Sequence, residues 1–326
     1  MFADFLFAFN AVVPIFVVAA VGFILKNTGF LTDEFVKVTD KFVFKVLLPC
    51  LLFTKVAYIK ITDITKSDLK VLGFCLVSAI VITVLFSLIV PLFIKDKAKV
   101  GAFVQGVFRS NVAFLGIPFA ISLFGDEGGR ICSIVLSAIV PLYNVLAVIV
   151  LCLFAPDKQN NSVSLVKRLA GVLKGIITNP LIIGIVLAMP FAIFSAGDYI
   201  PKFVTASIDY FAKASTTLAL VTIGASFSIK ELSGRLGMAV SATVLKTAII
   251  PAVFLVMARH LFGFSGVHLG IILVVFGTPT AISSYIMAKN MDSDAFLANQ
   301  IVLLTTLASM FTIFLFSFVM KSIGLF

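Results

Sequence analysis

Two stretches of the chain carry the polar and helix-breaking residues that could handle a ligand. In the first, Arg109, Ser110 and Asn111 precede the phrase Gly116-Ile117-Pro118-Phe119-Ala120-Ile121-Ser122. The second, Gly277-Thr278-Pro279-Thr280-Ala281-Ile282-Ser283, repeats G-x-P-x-A-I-S about half a chain length later. Proline inside a helix removes a donor and clashes with the preceding turn. Glycine two residues earlier lets the backbone leave helical geometry. A break at each phrase would create a new helix start, with free N–H groups and a partial positive charge. Two such starts pointing at one place suit an anionic group such as a carboxylate. Gly116, Pro118, Gly277 and Pro279 would shape that place. Asn111 and Asn179 would donate amide hydrogens without bringing charge, Ser110 and Thr278 would offer hydroxyls, and Arg109 would attract the anion. Tyr143 with Asn144, and Asn299 with Gln300, either coordinate the ligand or tie helices together. Asn179 also has a plainer role, capping the helix that starts at Pro180. Lys45 and Lys246, ionisable groups within apolar runs, either attract substrate or titrate during coupling.

The elements that must position these residues are apolar. The 326 residues are 61% hydrophobic and 12% charged, and mean hydropathy is +1.18. A soluble domain carries about 25% charged residues, so the simplest solvent for this chain is a bilayer. Unwound backbone is tolerated there only where protein or a water-filled cavity covers it, which puts the two breaks against a shared polar cavity. A span needs roughly 20 apolar residues. Ten stretches qualify, at about 5–25, 36–57, 69–94, 99–124, 129–154, 171–194, 202–228, 236–262, 265–289 and 294–321. The first is read as a retained helix, since no basic segment precedes it.

The polar interval "APDKQNNSVSLVKR" divides the spans into two sets of five. Five is odd, so the second set would start from the opposite face of the membrane. The expected fold is therefore all-α and transmembrane, with ten helices as two inverted five-helix repeats. Residues 1–155 form the first repeat, 156–170 a cytoplasmic linker and 171–326 the second repeat. The repeated phrase falls in the fourth and ninth spans, which are expected to be broken and to cross. Proline landmarks keep the same order in both halves, Pro14 and Pro91 in one, Pro180 and Pro251 in the other. Inverted repeats with discontinuous helices are the pattern of many secondary transporters.

The formal charge of +10 reads as a topology signal, because the Lys and Arg residues lie mostly between apolar runs. Nucleic-acid binding is not expected. Basic residues such as Lys95, Lys97, Lys99, Lys158, Lys167, Arg168, Lys230 and Arg235 place both termini outside. The loop around Lys55, Lys60, Lys66 and Lys70 counts against that orientation. Cys50, Cys75, Cys132 and Cys152 form no C-x-x-C pair, so neither a disulfide framework nor a metal site is expected. No phosphate-binding glycine loop and no H-E-x-x-H sequence is present, which argues against ATP-driven transport and against an enzyme. No cofactor is expected.

The segment "SNVAFLGIPFAISLFGDEG" resembles the auxin efflux carrier family, in which an Asn and a short apolar run precede G-I-P; Asn111 and Gly116-Ile117-Pro118 match. "TNPLIIGIVLAM", "KVLLPCLLF" and "PTAISSYIMAKNMDSDAFLANQIVLLTTLAS" are similar to further family segments, in the same order along the chain. The family includes plant PIN auxin transporters and bacterial carriers of malonate and related acids. The resemblance implies a scaffold domain of the first, second, sixth and seventh spans. It implies a mobile transport domain of the others, with the substrate at the crossing, elevator-like alternating access and often a homodimer. It also points to Asp68, at the start of the third span, as a residue of proton handling. The expected function is secondary transport of small organic anions, mono- or dicarboxylates, across a bacterial cytoplasmic (inner) membrane. The alternatives are a sodium-coupled bile-acid-type symporter or cation–proton exchanger, and an anion-binding membrane sensor.

Overall fold

The computed structural model describes residues 2–58, 64–155, 178, 180–227 and 236–326, apart from the Asn290 side chain. Asn179, the 156–170 linker and the basic residues Lys60, Lys158, Lys167, Arg168, Lys230 and Arg235 lie outside the described residues.

The described residues are mostly helical, with no named strand among them. In chain order the helices are α1 (Phe2–Asn27), α2 (Asp33–Phe42), α3 (Leu48–Ala57), α4 (Lys66–Phe93), α5 (Lys97–Phe108), α6 (Ile117–Leu153) and α7 (Pro180–Ile193). They continue with α8 (Lys202–Ala225), α9 (Gly237–Val244), α10 (Ile250–Phe262), α11 (Gly266–Gly277), α12 (Ser283–Asn290) and α13 (Ala295–Ser322). Among the described residues, five helical stretches are long and apolar enough to cross a membrane: Phe2–Asn27, Lys66–Phe93, Val112–Leu153, Gly237–Phe262 and Ala295–Ser322. Pro180–Ile193 and Gly266–Gly277 are shorter apolar helices. The ten apolar runs read from the sequence do not stand as ten helices among the described residues, because several contain breaks or wide turns.

Polar residues fix the helix starts. Thr65 and Asp68 form a reciprocal capping box at α4. Asp96 accepts from Ala98 N at the start of α5, and Asp294 accepts from Leu297 N at the start of α13. Gly263 closes α10 with a left-handed φ of 69°.

Three helices contain the same device. Val43–Leu47, Val112–Gly116 and Leu245–Ile249 are wide π turns. Each is followed by an apolar residue and then proline: Leu48-Pro49, Ile117-Pro118 and Ile250-Pro251. Proline has no N–H, and its ring crowds the carbonyl four residues back. Widening the turn by one residue relieves that crowding. The residue before each proline bonds five back, to Val43 O, Val112 O or Leu245 O.

Within α6 the backbone leaves helical geometry at Gly125, with φ 62° and ψ −147°. A Cβ added at Gly128 would lie 2.2 Å from Ala120 O. In a straight helix, residues eight apart are separated by about 12 Å. The chain therefore folds back at Gly125, and the two arms of α6 pack against each other.

A second packing theme joins α1, α3, α7 and α8. A Cβ on Gly224 would fall 1.7 Å from Ala19 O, and one on Gly22 2.1 Å from Val221 O, so α1 and α8 touch backbone to backbone. A Cβ on Gly184 of α7 would lie 2.7 Å from Pro49 O of α3. Small residues at such crossings are how helices associate in lipid, where apolar burial between them gains little.

Candidate functional site

The chain leaves helical geometry twice, once between α5 and the Val112–Gly116 turn and once between α11 and α12. The two breaks meet. Ser110 and Thr280 pair as an isolated antiparallel bridge. Asn111 N donates to Pro279 O at 2.8 Å, and Ala281 N donates to Arg109 O at 3.4 Å. Backbone that neither helix can satisfy is thus satisfied by the other break, as burial requires.

The first break is not where the sequence phrase put it. It spans Arg109–Asn111, five residues before Gly116, so Asn111 lies within the break and not before it. Gly116 ends a π turn, and Pro118 is the second residue of α6, a position where proline needs no donor. In the second phrase Gly277 ends α11, and Thr278 and Pro279 stand in the break itself. The phrase marked the right pair of segments, but its two copies do not occupy equivalent places in them.

Side chains finish the C-terminal ends of both half-helices, α5 and α11. Thr280 Oγ1 donates to Gly106 O at 2.6 Å, an α5 carbonyl left over by the break. Thr280 N donates to Thr305 Oγ1 of α13 at 3.1 Å. On the other side, Lys246 Nζ donates to Ser110 Oγ and, at 3.2 Å, to Phe276 O near the end of α11.

A cavity of about 340 Å³ opens beside the first break. Its polar side consists of Arg109, Ser110, Asn111, Tyr143 and Asn144; Phe44, Phe114, Val140, Leu181 and Ile286 supply apolar wall. Asp40, Lys41 and Lys45 lie on the α2 side. Arg109, Lys41 and Lys45 thus line the cavity together with one carboxylate, Asp40. Ala113 and Ser283, at the first turns after the two breaks, also line it.

Arg109 is 5% exposed. Its Nη2 donates to Asn144 Oδ1 at 2.6 Å, and Nη1 points at Met287 Sδ. In the orientation that satisfies both ends of its amide, Gln105 accepts from Arg109 Nη1 at 3.2 Å and donates to Ser284 O at 3.3 Å. All these partners are neutral. The Tyr143 hydroxyl is buried beside Ser110.

Of the residues singled out from the sequence, Arg109, Ser110, Asn111, Tyr143, Asn144 and Lys45 come together at the cavity. Gly116, Pro118, Gly277, Thr278, Pro279, Asn299 and Gln300 do not line it. Lys246 stands behind Ser110, fully buried. Asp68 is elsewhere: Oδ2 takes Arg130 Nη1 of α6 at 3.1 Å, and Oδ1 lies 2.8 Å from His268 Nε2 of α11. Asp40, Lys41, Phe44 and Phe114 were missed as wall residues, and Met287 and Gln105 as partners of Arg109. A polar residue in an apolar run signals Gln105, but nothing in the spacing signals the others.

A profile of the membrane transport protein family matches residues 7–317. The chain is similar to the uncharacterized transporter MJ1031 of Methanocaldococcus jannaschii, with 23% identity over 95% of this chain and 98% of that protein. It is also similar to the uncharacterized transporter YNL095C of Saccharomyces cerevisiae, with 29% identity over 36% of this chain and 19% of that protein.

Proposed function

Since the chain belongs to the membrane transport protein family, the family of the auxin efflux carriers, we propose that its cargo is a small organic anion, moved by alternating access. The observation that carries this reading is Arg109, a buried guanidinium that faces the cavity with neutral partners only. A buried cation without a countercharge is costly. A carboxylate entering the cavity would supply one, in the bidentate geometry a guanidinium favours. Asn111 would add a directional amide, Tyr143 a hydroxyl, and the helix starts at Ala113 and Ser283 their partial positive charge. The apolar wall favours a carboxylate with a hydrocarbon or aromatic body.

In this reading the breaks are the crossing point of two inverted five-helix repeats. The glycine-packed group α1, α3, α7 and α8 is the static scaffold, and the remaining helices carry the crossing past it. Phe44 and Phe114 stack at 6.2 Å with their planes 3° apart, one from each group, beside the cavity. The chain resides in a cytoplasmic membrane with both termini outside.

Reconstitution tests the proposal. Proteoliposomes are expected to show saturable counterflow of at least one carboxylate from a broad panel, under proton, sodium or voltage gradients. Zero flux across the whole panel, with correctly inserted protein, rejects it.

A further inference from the structure

The two breaks are related residue by residue, except at one point. Ser110 and Thr280 are the bridged pair. Thr280 Oγ1 donates directly to the carbonyl four residues before Ser110, Gly106 O. The matching bond would run from Ser110 Oγ to the carbonyl four residues before Thr280, Phe276 O. In that place stands the Lys246 ammonium, which donates to both Ser110 Oγ and Phe276 O. Lys246 is fully buried and has no carboxylate beside it among the described residues.

Carbonyls of unwound backbone and of half-helix C-terminal ends hold small monovalent cations in broken transporter helices; here a hydroxyl of the break, Ser110 Oγ, and a half-helix carbonyl, Phe276 O, stand in such places. The C-terminal end of α11 also carries partial negative charge. Another buried oxygen of the same break, Thr278 Oγ1, has no partner.

We infer that Ser110 Oγ and Phe276 O form a monovalent-cation site that the chain fills with its own ammonium, so that Lys246 is a tethered substitute for a dissociable ion. The π turn at Leu245–Ile249 carries Lys246 to this position. The tether removes the need for a cation from solution. It also leaves the Lys246 side chain behind Ser110, on the far side of the polar wall from the ligand. The consequence for flux rests on the organic-anion reading above; the cation site does not.

The test uses the purified full-length chain and Lys246→Ala. Thermal unfolding in detergent is measured in sodium, lithium and choline chloride at equal ionic strength. Wild type is expected to melt at the same temperature in all three. Lys246→Ala is expected to melt several degrees higher in sodium or lithium than in choline, because a small cation and water refill the vacated space. Lys246→Met, which fills the space without charge, is expected to show no such difference. In proteoliposomes, wild-type flux should be equal in sodium and choline, whereas Lys246→Ala flux should fall at least tenfold in choline and recover severalfold in sodium. Recovery of the alanine variant only when it is purified in sodium would support the same conclusion. Failure to recover it in either salt, an equal melting temperature in all three, or a sodium requirement in wild type would overturn it. If wild type carries no organic anion, the transport reading falls and the melting comparison still decides the cation site.

Discussion

Arg109 and Lys246 lie within one short region of the fold, and neither has an acidic partner among the described residues. Their roles differ by what they face. Arg109 borders the cavity and can reach a ligand, whereas Lys246 is closed off behind Ser110. Hydrogen bonds to charged groups contribute about 1.5–3 kcal/mol, and 1.4 kcal/mol is about a factor of ten in affinity. Arg109→Gln is therefore expected to raise KM for the organic anion by about tenfold or more, at equal membrane abundance, in proteoliposome uptake. Asn111→Ala should weaken transport less, since it removes an uncharged donor. Unchanged KM in Arg109→Gln would remove the guanidinium from the binding site.

At the scale of the elements, glycine packing gives the sharpest expectation. A Cβ at Gly224 would sit 1.7 Å from Ala19 O, a backbone atom that cannot swing aside. A Cβ at Gly237 would meet nothing within 4 Å. Gly224→Ala should lower the melting temperature in detergent by roughly 5 °C or more, a cost of about 2 kcal/mol. Gly237→Ala should leave it unchanged. Equal melting of the two variants would show that α1 and α8 are free to separate slightly. Much at this scale could be read beforehand: the apolar runs, the polar middle interval and the pairing of the two interrupted segments all follow from composition and spacing. The place of the first interruption did not. Pro118 looks like a helix breaker, yet the preceding wide turn absorbs it, and the chain opens instead at Arg109–Asn111. Each π turn adds a residue, which shifts the facing of the helix beyond it by about 100°. A regular helical projection therefore misplaces Lys45 and Lys246, which lie inside such turns. The wall residues Phe44 and Phe114 were illegible for another reason. Phe is so frequent here, 35 residues, that no single one stands out.

For the whole molecule, the decisive question is whether the crossing moves past the glycine-packed helices. Phe44 and Phe114 face each other across that boundary. With Cys50, Cys75, Cys132 and Cys152 replaced, a protein carrying Phe44→Cys and Phe114→Cys can be bridged there by a bifunctional thiol reagent. Bridging is expected to abolish flux, and thiol reduction of a cleavable bridge to restore it; full transport by the bridged protein would exclude relative movement at this boundary. What would travel is set by the contacts of one carboxylate. Asp68 fastens α4 to α6 through Arg130 and to α11 through His268. The arm of α6 beyond Gly125 and the helix entering the second break are thus riveted to a common strut. Under the proposed alternating access, α4, this arm of α6 and α11 would shift together as one stiff body.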